Sequence, residues 1–277
     1  MSDFIKAGVI GHPIKHSKSP LIHNHWIEQY ELSGRYEAID IHPDQLAVRL
    51  KDLIENEDYK GFNLTIPHKE LVLDICDEIT SQASAIGAVN TITVKEGKIL
   101  GSNTDGFGFA ENIKLNAPNF DFTKGTSVIL GAGGAARACI AALIEEGAPR
   151  ILLLNRTREK AEKLKKDLSA LDVIEIIDWE ERHAALEAIN LLVNTTALGM
   201  ESQRELELDL SALPQNALVN DIVYAPLYTK LLREAQAQGN DVVTGIGMLL
   251  HQARPAFKQW FGVMPQVDKK LEEMVLA

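Results

Sequence analysis

Hydrophobic positions along this chain keep changing their period. An apolar run at residues 7–10 gives way to a polar loop, then to helical spacing from 20 to about 31. Residues 36–41 read as a strand and 43–55 as an amphipathic helix; 61–66 is strand-like again and 67–76 helical. Such alternation implies βαβ units and a mostly parallel sheet. Residues 88–94 and 98–102 flank the short connection Lys95-Glu96-Gly97 and read as a hairpin, with helical spacing after it at 106–115.

The polar, proline-bearing stretch 116–125 reads as a linker, and a second series follows. Strands are expected at 127–130, 150–154 and 173–177, with helices at 134–146 and 159–168. Further apolar runs lie at 191–195 and 217–223, then a helix at 227–238, a last strand at 241–244 and a last long helix at 248–261. The second series makes a complete doubly wound unit, whereas the first lacks cover for one face. Economy of packing sends the C-terminal helices back to it. The expected fold class is therefore α/β, with two α/β domains: a discontinuous one, 1–102 plus 240–277, with a mostly parallel sheet, and a Rossmann-type one, 103–239.

The length of 277 residues suits two modest domains, and the 45% hydrophobic and 24% charged fractions are ordinary. Aromatics make up only 6%, so the core should be mostly aliphatic. The formal net charge of -11 disfavours phosphate backbones and anionic membrane surfaces, and no polybasic run offsets it, so neither nucleic acid nor membrane is an expected partner. Any bound anion must be captured by a local cluster of donors. Cys76 and Cys139 sit in apolar helical patterns without a metal or redox motif and read as buried thiols of a reducing compartment. Residues 1–4 lack a basic leader and no apolar run approaches the ~20 residues that span a bilayer, so a cytoplasmic location is expected.

The sharpest local signal is SVILGAGGAAR at 127–137, in which a strand runs into G-x-G-x-x-A and then a helix. Gly131 allows the tight turn, Gly133 lets a pyrophosphate approach the backbone, and Ala136 lets helix and strand pack closely. The helix N-terminus then offers free N–H groups to phosphate. A tight turn without a ligand is the plainer alternative, but the flanking strand and helix favour a dinucleotide. NAD enzymes place a carboxylate at the end of the next strand. Here that strand runs into Asn155-Arg156-Thr157-Arg158, with no acidic residue before Glu159. Arg156 can pair with a 2′-phosphate, Thr157 can donate to it, and Lys160 lies one turn on. A solvated basic turn is the alternative; the position favours NADP over NAD.

Three other segments carry polar groups where strands end. In GHPIKHSKSP at 11–20, Ser17 and Ser19 are two apart, which in an extended loop points both hydroxyls one way, towards a carboxylate. Ser19 before Pro20 is equally a standard helix N-cap. His12, His16, His23 and His25 lack a carboxylate or thiolate to complete a metal site and read as structural. In NLTIPHK at 63–69, Lys69 falls in the first turn of a helix, a setting that disfavours an ammonium and suits proton exchange; an ordinary surface lysine is the alternative. In NTDGFG at 103–108, Asp105 is either an N-cap or a carboxylate at the sheet edge. Asn90, within GAVNT at 87–91, is a polar group in an apolar setting.

Together these segments resemble the shikimate dehydrogenase family along nearly the whole chain. The resemblance extends through NTTALGM at 194–200, DIVYAPLYT at 221–229 and GIGMLLHQA at 245–253. It implies an enzyme of aromatic amino-acid biosynthesis that interconverts 3-dehydroshikimate and shikimate with NADPH. On that likeness Ser17 and Ser19 hold the carboxylate, and Thr65, Asn90, Asp105, Tyr224 and Gln252 contact the ring hydroxyls. Lys69 and Asp105 form the catalytic pair. Gly131, Ala132, Gly133, Gly134 and Ala135 line the cofactor, as do Asn155, Arg156, Thr157, Lys160, Gly245 and Met248. The substrate domain is then 1–102 plus 240–277 and the NADP domain 103–239, in a monomer or homodimer without metal. Two segments depart from the family: Ala136 where Ser is frequent, and Thr195-Thr196-Ala197 where A-T-S is frequent. The rivals are a quinate/shikimate dehydrogenase using NAD, a relative of the methylenetetrahydrofolate dehydrogenases, and a non-catalytic NADP sensor.

Overall fold

The structure, a computed structural model, describes residues 4–169 and 172–277; residues 1–3, part of the stretch read for a leader, lie outside the described residues. Two compact units emerge, one ending at Thr104 and resumed by Leu250–Ala277, the other Asp105–Leu249. In chain order the first contributes β1 (Ile5–Gly11), α1 (Ser19–Gln29), β2 (Gly34–Asp40), α2 (Leu46–Glu55), β3 (Tyr59–Leu64), α3 (His68–Leu71), β4 (Glu78–Ile79), α4 (Ser81–Ile86), β5 (Thr91–Lys95) and β6 (Lys98–Ser102). The second holds α5 (Asp105–Asn116), β7 (Thr126–Leu130), α6 (Gly134–Glu145), β8 (Arg150–Leu154), α7 (Arg158–Asp167), β9 (Ile174–Ile177), β10 (Leu191–Asn194), β11 (Leu218–Asp221), α8 (Lys230–Ala237) and β12 (Val242–Val243). The helix α9 (Ile246–Phe261) runs from the second unit into the first, and α10 (Lys269–Leu276) closes the chain.

The first sheet has the order β2-β1-β3-β5-β6-β4. Its β1 is parallel to β2 and β3, while β5 is antiparallel to both β3 and β6. The hairpin closes through Lys95↔Lys98, so its loop is Glu96-Gly97 alone, both at positive φ (54° and 78°), as tight two-residue turns require. The helix expected at 67–76 shrinks to the single turn of α3 followed by a 3-10 turn, Val72–Asp74. Neither β4 nor α4 was legible, because two and six residues are too short to show a period.

One face of this sheet is mostly aliphatic, built on Ile10, Leu50, Leu53 and Ile92 with Tyr59 and Phe62 among them. The buried core is mostly aliphatic, as the composition implies, but the other face of this sheet gathers aromatic rings. There α1 and α9 bring Trp26, Phe257 and Trp260 together around His23 and Tyr36. Trp260 Nε1 donates to the Ile92 carbonyl at 3.0 Å, and its indole lies so close on Gly61 that no side chain fits there. The C-terminal helices do return to the first sheet, through these rings and through the bond from Trp26 Nε1 to the Gln266 carbonyl at 3.0 Å.

The second sheet is wholly parallel, ordered β12-β11-β10-β7-β8-β9. Its strands are apolar on both faces, as a sheet covered by helices on both sides demands. The stretch 116–125 is no linker: Phe122 is 7% exposed, stacks edge-on with Phe120 at 5.0 Å, and packs with α5 and α6. Residues 240–249 stay with the second unit, because β12 pairs with β11 and Asn220 Nδ2 donates to the Val243 carbonyl at 2.9 Å. The two crossings of the chain therefore fall after Thr104 and Leu249, later than the sequence positions 102 and 239.

Cys139 is buried in α6, but Cys76 is half-buried and lies outside any helix. Burial pushes the Cys76 thiol up to about 11 and raises Cys139 as well, so both stay protonated. Among the described residues no helix is long and apolar enough to cross a membrane, and no His, Cys, Asp or Glu group is arranged to hold a metal ion.

Candidate functional site

In the first unit the loop after β1 is turned, not extended: Ser17 N donates to the Ile14 carbonyl at 3.0 Å. Ser17 Oγ accepts from Ser19 N at 3.3 Å, which fixes the two residues relative to one another. The N-cap of α1 is Lys18, with Ser19 already inside the helix, so the Ser19 hydroxyl is not spent on capping. It is 9% exposed. His12 Nδ1 lies 2.6 Å from Asp40 Oδ1 and holds that carboxyl below the usual range. His23 stacks on Tyr36 with ring centres 4.0 Å apart, and burial pulls it down to about 3, so it is neutral.

At the end of β3, Thr65 N donates to the Ile10 carbonyl at 3.0 Å, and the Lys69 carbonyl accepts from Val89 N at 2.8 Å. The second bond ties α3 to the segment carrying Asn90. Because α3 is one turn long, it supplies only a small part of the dipole expected to act on Lys69. Asn90, 2% exposed, sits in a buried polar network. Tyr36 Oη donates to Asn63 Oδ1 at 2.7 Å, and Asn63 Nδ2 reaches the Asn90 carbonyl and Thr91 Oγ1, both at 3.2 Å. Asn90 Oδ1 accepts from Thr91 Oγ1 at 2.9 Å and from Thr104 N at 2.9 Å, while its Nδ2 donates to Thr104 Oγ1 at 3.1 Å. Thr104 Oγ1 in turn donates to Gln252 Oε1 at 3.5 Å. Asn90 and Gln252, far apart in sequence, thus share one hydroxyl. Sequence reasoning assigned no role to Tyr36, Asn63, Thr91 or Thr104. Asn63 and Thr104 stood inside quoted motifs, but their pairing is set by the sheet.

In the second unit the glycine turn behaves as its spacing predicts. Gly131 has φ 109°, and a side chain there would press on Thr195 Oγ1 at 2.7 Å. Gly133 caps α6 without any side-chain hydrogen bond, and a Cβ at Gly133 or Gly134 would meet nothing within 4 Å. The start of α6 therefore has open space beside it. Ala132 and Ala135 are half-buried and Ala136 fully buried. Beyond β8, Asn155 Nδ2 donates to the Thr157 carbonyl at 2.7 Å, and Arg156, Thr157 and Lys160 are exposed. Arg158 is engaged by Glu162 at 3.0 Å and by Asp178. Arg156 has no ion-pair partner among the described residues, so it is the arginine of this turn left for a ligand. At the other end of the sheet, Gly245 lies against the Ile222 and Val223 carbonyls so tightly that only glycine fits. Asn112 Nδ2 donates to the Thr244 carbonyl at 2.8 Å and packs on Gly247, fixing the start of α9 and with it Met248, which is half-buried against the core. Tyr224 is 36% exposed. Asp105 is half-buried and is the first residue of α5, inside its first turn and not ahead of it.

A doubly wound parallel sheet with an open, uncapped glycine turn and an unpaired arginine one strand on defines a dinucleotide-binding unit. Joined to it is a discontinuous α/β unit with a buried polar network. The chain belongs to the shikimate dehydrogenase family. Residues 9–92 match the shikimate dehydrogenase substrate binding domain, 114–207 the shikimate / quinate 5-dehydrogenase family, and 245–269 the shikimate 5'-dehydrogenase C-terminal domain. It is 47% identical over 272 residues to the shikimate dehydrogenase (NADP(+)) of Paramagnetospirillum magneticum, covering 98% of each chain. Among solved structures it resembles the shikimate 5-dehydrogenase of Thermus thermophilus in complex with NADP(H) and shikimate, with TM-score 0.85, 37% identity and 98% of each chain covered. It also resembles the quinate dehydrogenase of Corynebacterium glutamicum in complex with NAD, with TM-score 0.91, 29% identity and 99% of each chain covered.

Proposed function

We propose that this protein is an NADP-dependent shikimate dehydrogenase, reducing 3-dehydroshikimate reversibly to shikimate, with Lys69 and Asp105 as its acid–base pair. The observation that carries the reading is the full-length likeness to NADP-dependent relatives, joined to a glycine turn and basic turn that suit this cofactor. The residues present fit it. Open space at Gly133 and Gly134 admits a pyrophosphate to the N–H groups of α6. Arg156 and Thr157 take the 2′-phosphate, with Lys160 adding charge; Gly131, Ala132, Ala135, Asn155, Gly245 and Met248 complete the lining. When bound, NADPH supplies the hydride.

The chain's own residues do the rest. Ser17 and Ser19 donate hydroxyls to the substrate carboxylate. Thr65, Asn90, Asp105, Tyr224 and Gln252 orient the ring through its hydroxyls. Lys69 Nζ gives a proton to the oxygen that becomes the new hydroxyl, and in the reverse direction takes it back. Asp105 holds that ammonium in place. Proton transfer by a placed group contributes roughly 10²–10⁴-fold to rate. The enzyme works in the cytoplasm as a monomer or homodimer.

The second reading, an NAD-linked quinate dehydrogenase, is favoured by the likeness to the quinate enzyme. It is opposed by Arg156 standing where NAD enzymes carry a carboxylate. Following reduced-cofactor absorbance with shikimate or quinate, each with NADP+ or NAD+, separates the two. The expected result is fastest turnover with shikimate and NADP+; fastest turnover with quinate and NAD+ overturns the proposal.

A further inference from the structure

The second unit buries one carboxylate that the proposed chemistry does not use. Asp221, the last residue of β11, is fully buried and has no ion-pair partner among the described residues. Three donors converge on it. Asn194 Nδ2 and Val223 N each donate to Oδ1 at 3.0 Å, and Thr229 Oγ1 donates to Oδ2 at 2.7 Å. Each donor belongs to a loop at the carboxyl ends of the strands, where open α/β sheets bind ligands.

Asn194 ends β10, and the loop after it is wound about its side chain. Asn194 Oδ1 accepts from Thr196 N at 3.0 Å and Thr196 Oγ1 at 2.7 Å, and Nδ2 also donates to the Leu198 carbonyl at 3.1 Å. The same loop leans on the glycine turn: Thr195 N and Oγ1 both donate to the Leu130 carbonyl, at 2.9 and 2.7 Å, and Thr195 Oγ1 closes one side of Gly131. Val223 opens the segment that carries Tyr224. Thr229 closes that segment and caps α8 by accepting from Leu232 N at 3.4 Å. The Val223 carbonyl is also part of the seat of Gly245.

An apolar residue of similar size would spare the cost of burying this charge. It would also orphan an amide, a backbone N–H and a hydroxyl at once. We infer that Asp221 is a positioning residue for the cofactor, its carboxylate locking the 194–198 loop against the Gly131 turn and the 222–229 segment beside Gly245. The inference rests on the reading that the glycine turn takes the pyrophosphate.

The test uses the full chain without ligand and three variants, Asp221→Ala, Asp221→Asn and Gly133→Ala. NADP+ is titrated by calorimetry, and amide exchange is followed in the free protein. Asp221→Ala should weaken NADP+ binding roughly tenfold or more, as expected when several hydrogen bonds that place a site are lost. Exchange should quicken at 194–199 and 222–229 while β7 and α6 stay protected. Asp221→Asn should bind within about threefold of wild type, because Oδ1 keeps its two donors and the Thr229 hydroxyl turns to accept from the new amide. A merely structural role would lower thermal stability and leave the affinity of the folded protein unchanged. If Asp221→Ala does not fold, Thr229→Val removes the bond to Oδ2 together with the cap on α8, and Thr229→Ser, which keeps both, is its control; Thr229→Val should still weaken NADP+ by about threefold and Thr229→Ser should not. Normal NADP+ affinity in Asp221→Ala, or in Thr229→Val where that stands in, overturns the inference. Normal affinity in Gly133→Ala overturns the pyrophosphate reading and the inference with it.

Discussion

Replacing Asp221 with asparagine should change the way stability depends on pH, and the sign is opposite to that of a salt-bridged carboxylate. Burial pushes the Asp221 carboxyl up to about 6, and the hydrogen bonds from Thr229, Val223 and Asn194 offset only part of that. In the unfolded chain the group titrates near 3.9, about two units lower, and each unit is about 1.4 kcal/mol. Between pH 4 and 6 the native state therefore holds a proton that the unfolded state has lost. Stability falls as pH rises through this window, and the full cost of about 3 kcal/mol is present above pH 6. The amide variant has no such group. Urea unfolding of wild type and Asp221→Asn, in steps from pH 4 to 7.5, isolates the effect, since every other titrating group cancels in the difference. The variant should gain on wild type by about 3 kcal/mol across the window. A difference that stays flat, or that moves against the variant as pH rises, refutes the reasoning: the native carboxyl would then titrate at or below its unfolded value.

Lys69→Ala should cut turnover by roughly 10²–10⁴-fold while the KM for shikimate moves little, measured by steady-state kinetics near neutrality; near-normal turnover removes Lys69 from the acid–base role. Arg156→Ala should weaken NADP+ by roughly 10- to 100-fold, the worth of a charge-assisted pair, and leave NAD+ unchanged; equal losses for both cofactors would place Arg156 away from the 2′-phosphate. His23 is pulled down to about 3 by burial, so it stays neutral when folded and charges more readily when unfolded. Its contribution is complete above the unfolded value of about 6.5 and is lost as pH falls from there. His23→Phe keeps a ring against Tyr36 and should flatten the acid side of the stability profile; an unchanged slope between pH 6.5 and 4 would contradict this.

The parts of the fold written in local periods were legible. The run 127–137 announced β7, the glycine turn and α6 because a strand period, two glycines and an alanine-rich helix follow each other without a break. The basic turn at 155–157 was legible for the same reason, since cofactor choice there depends on which side chain ends the next strand. Elements shorter than a period, such as β4 and α4, were not. Neither were roles that depend on which of two neighbours occupies a cap: Lys18, not Ser19, precedes α1, which leaves the Ser19 hydroxyl out of the cap. The polar composition of 116–125 suggested a linker, but Phe122, with Ala117 and Phe120 beside it, packs it onto the core.

Sequence by itself determined the α/β class, the glycine turn, the likeness to one enzyme family and the side chains from which the proposed site is drawn. These depend on spacing along the chain and on side-chain chemistry, both carried by consecutive residues. Only the tertiary structure decided that Asn90, Thr104 and Gln252 share a network, that aromatic rings gather on one face of the first sheet, and that Asp221 holds two loops at once. Those contacts join strands and helices up to 231 residues apart, as Trp26 and Phe257 are. Sheet order and helix crossover bring such partners together, and no local pattern encodes which ones will meet.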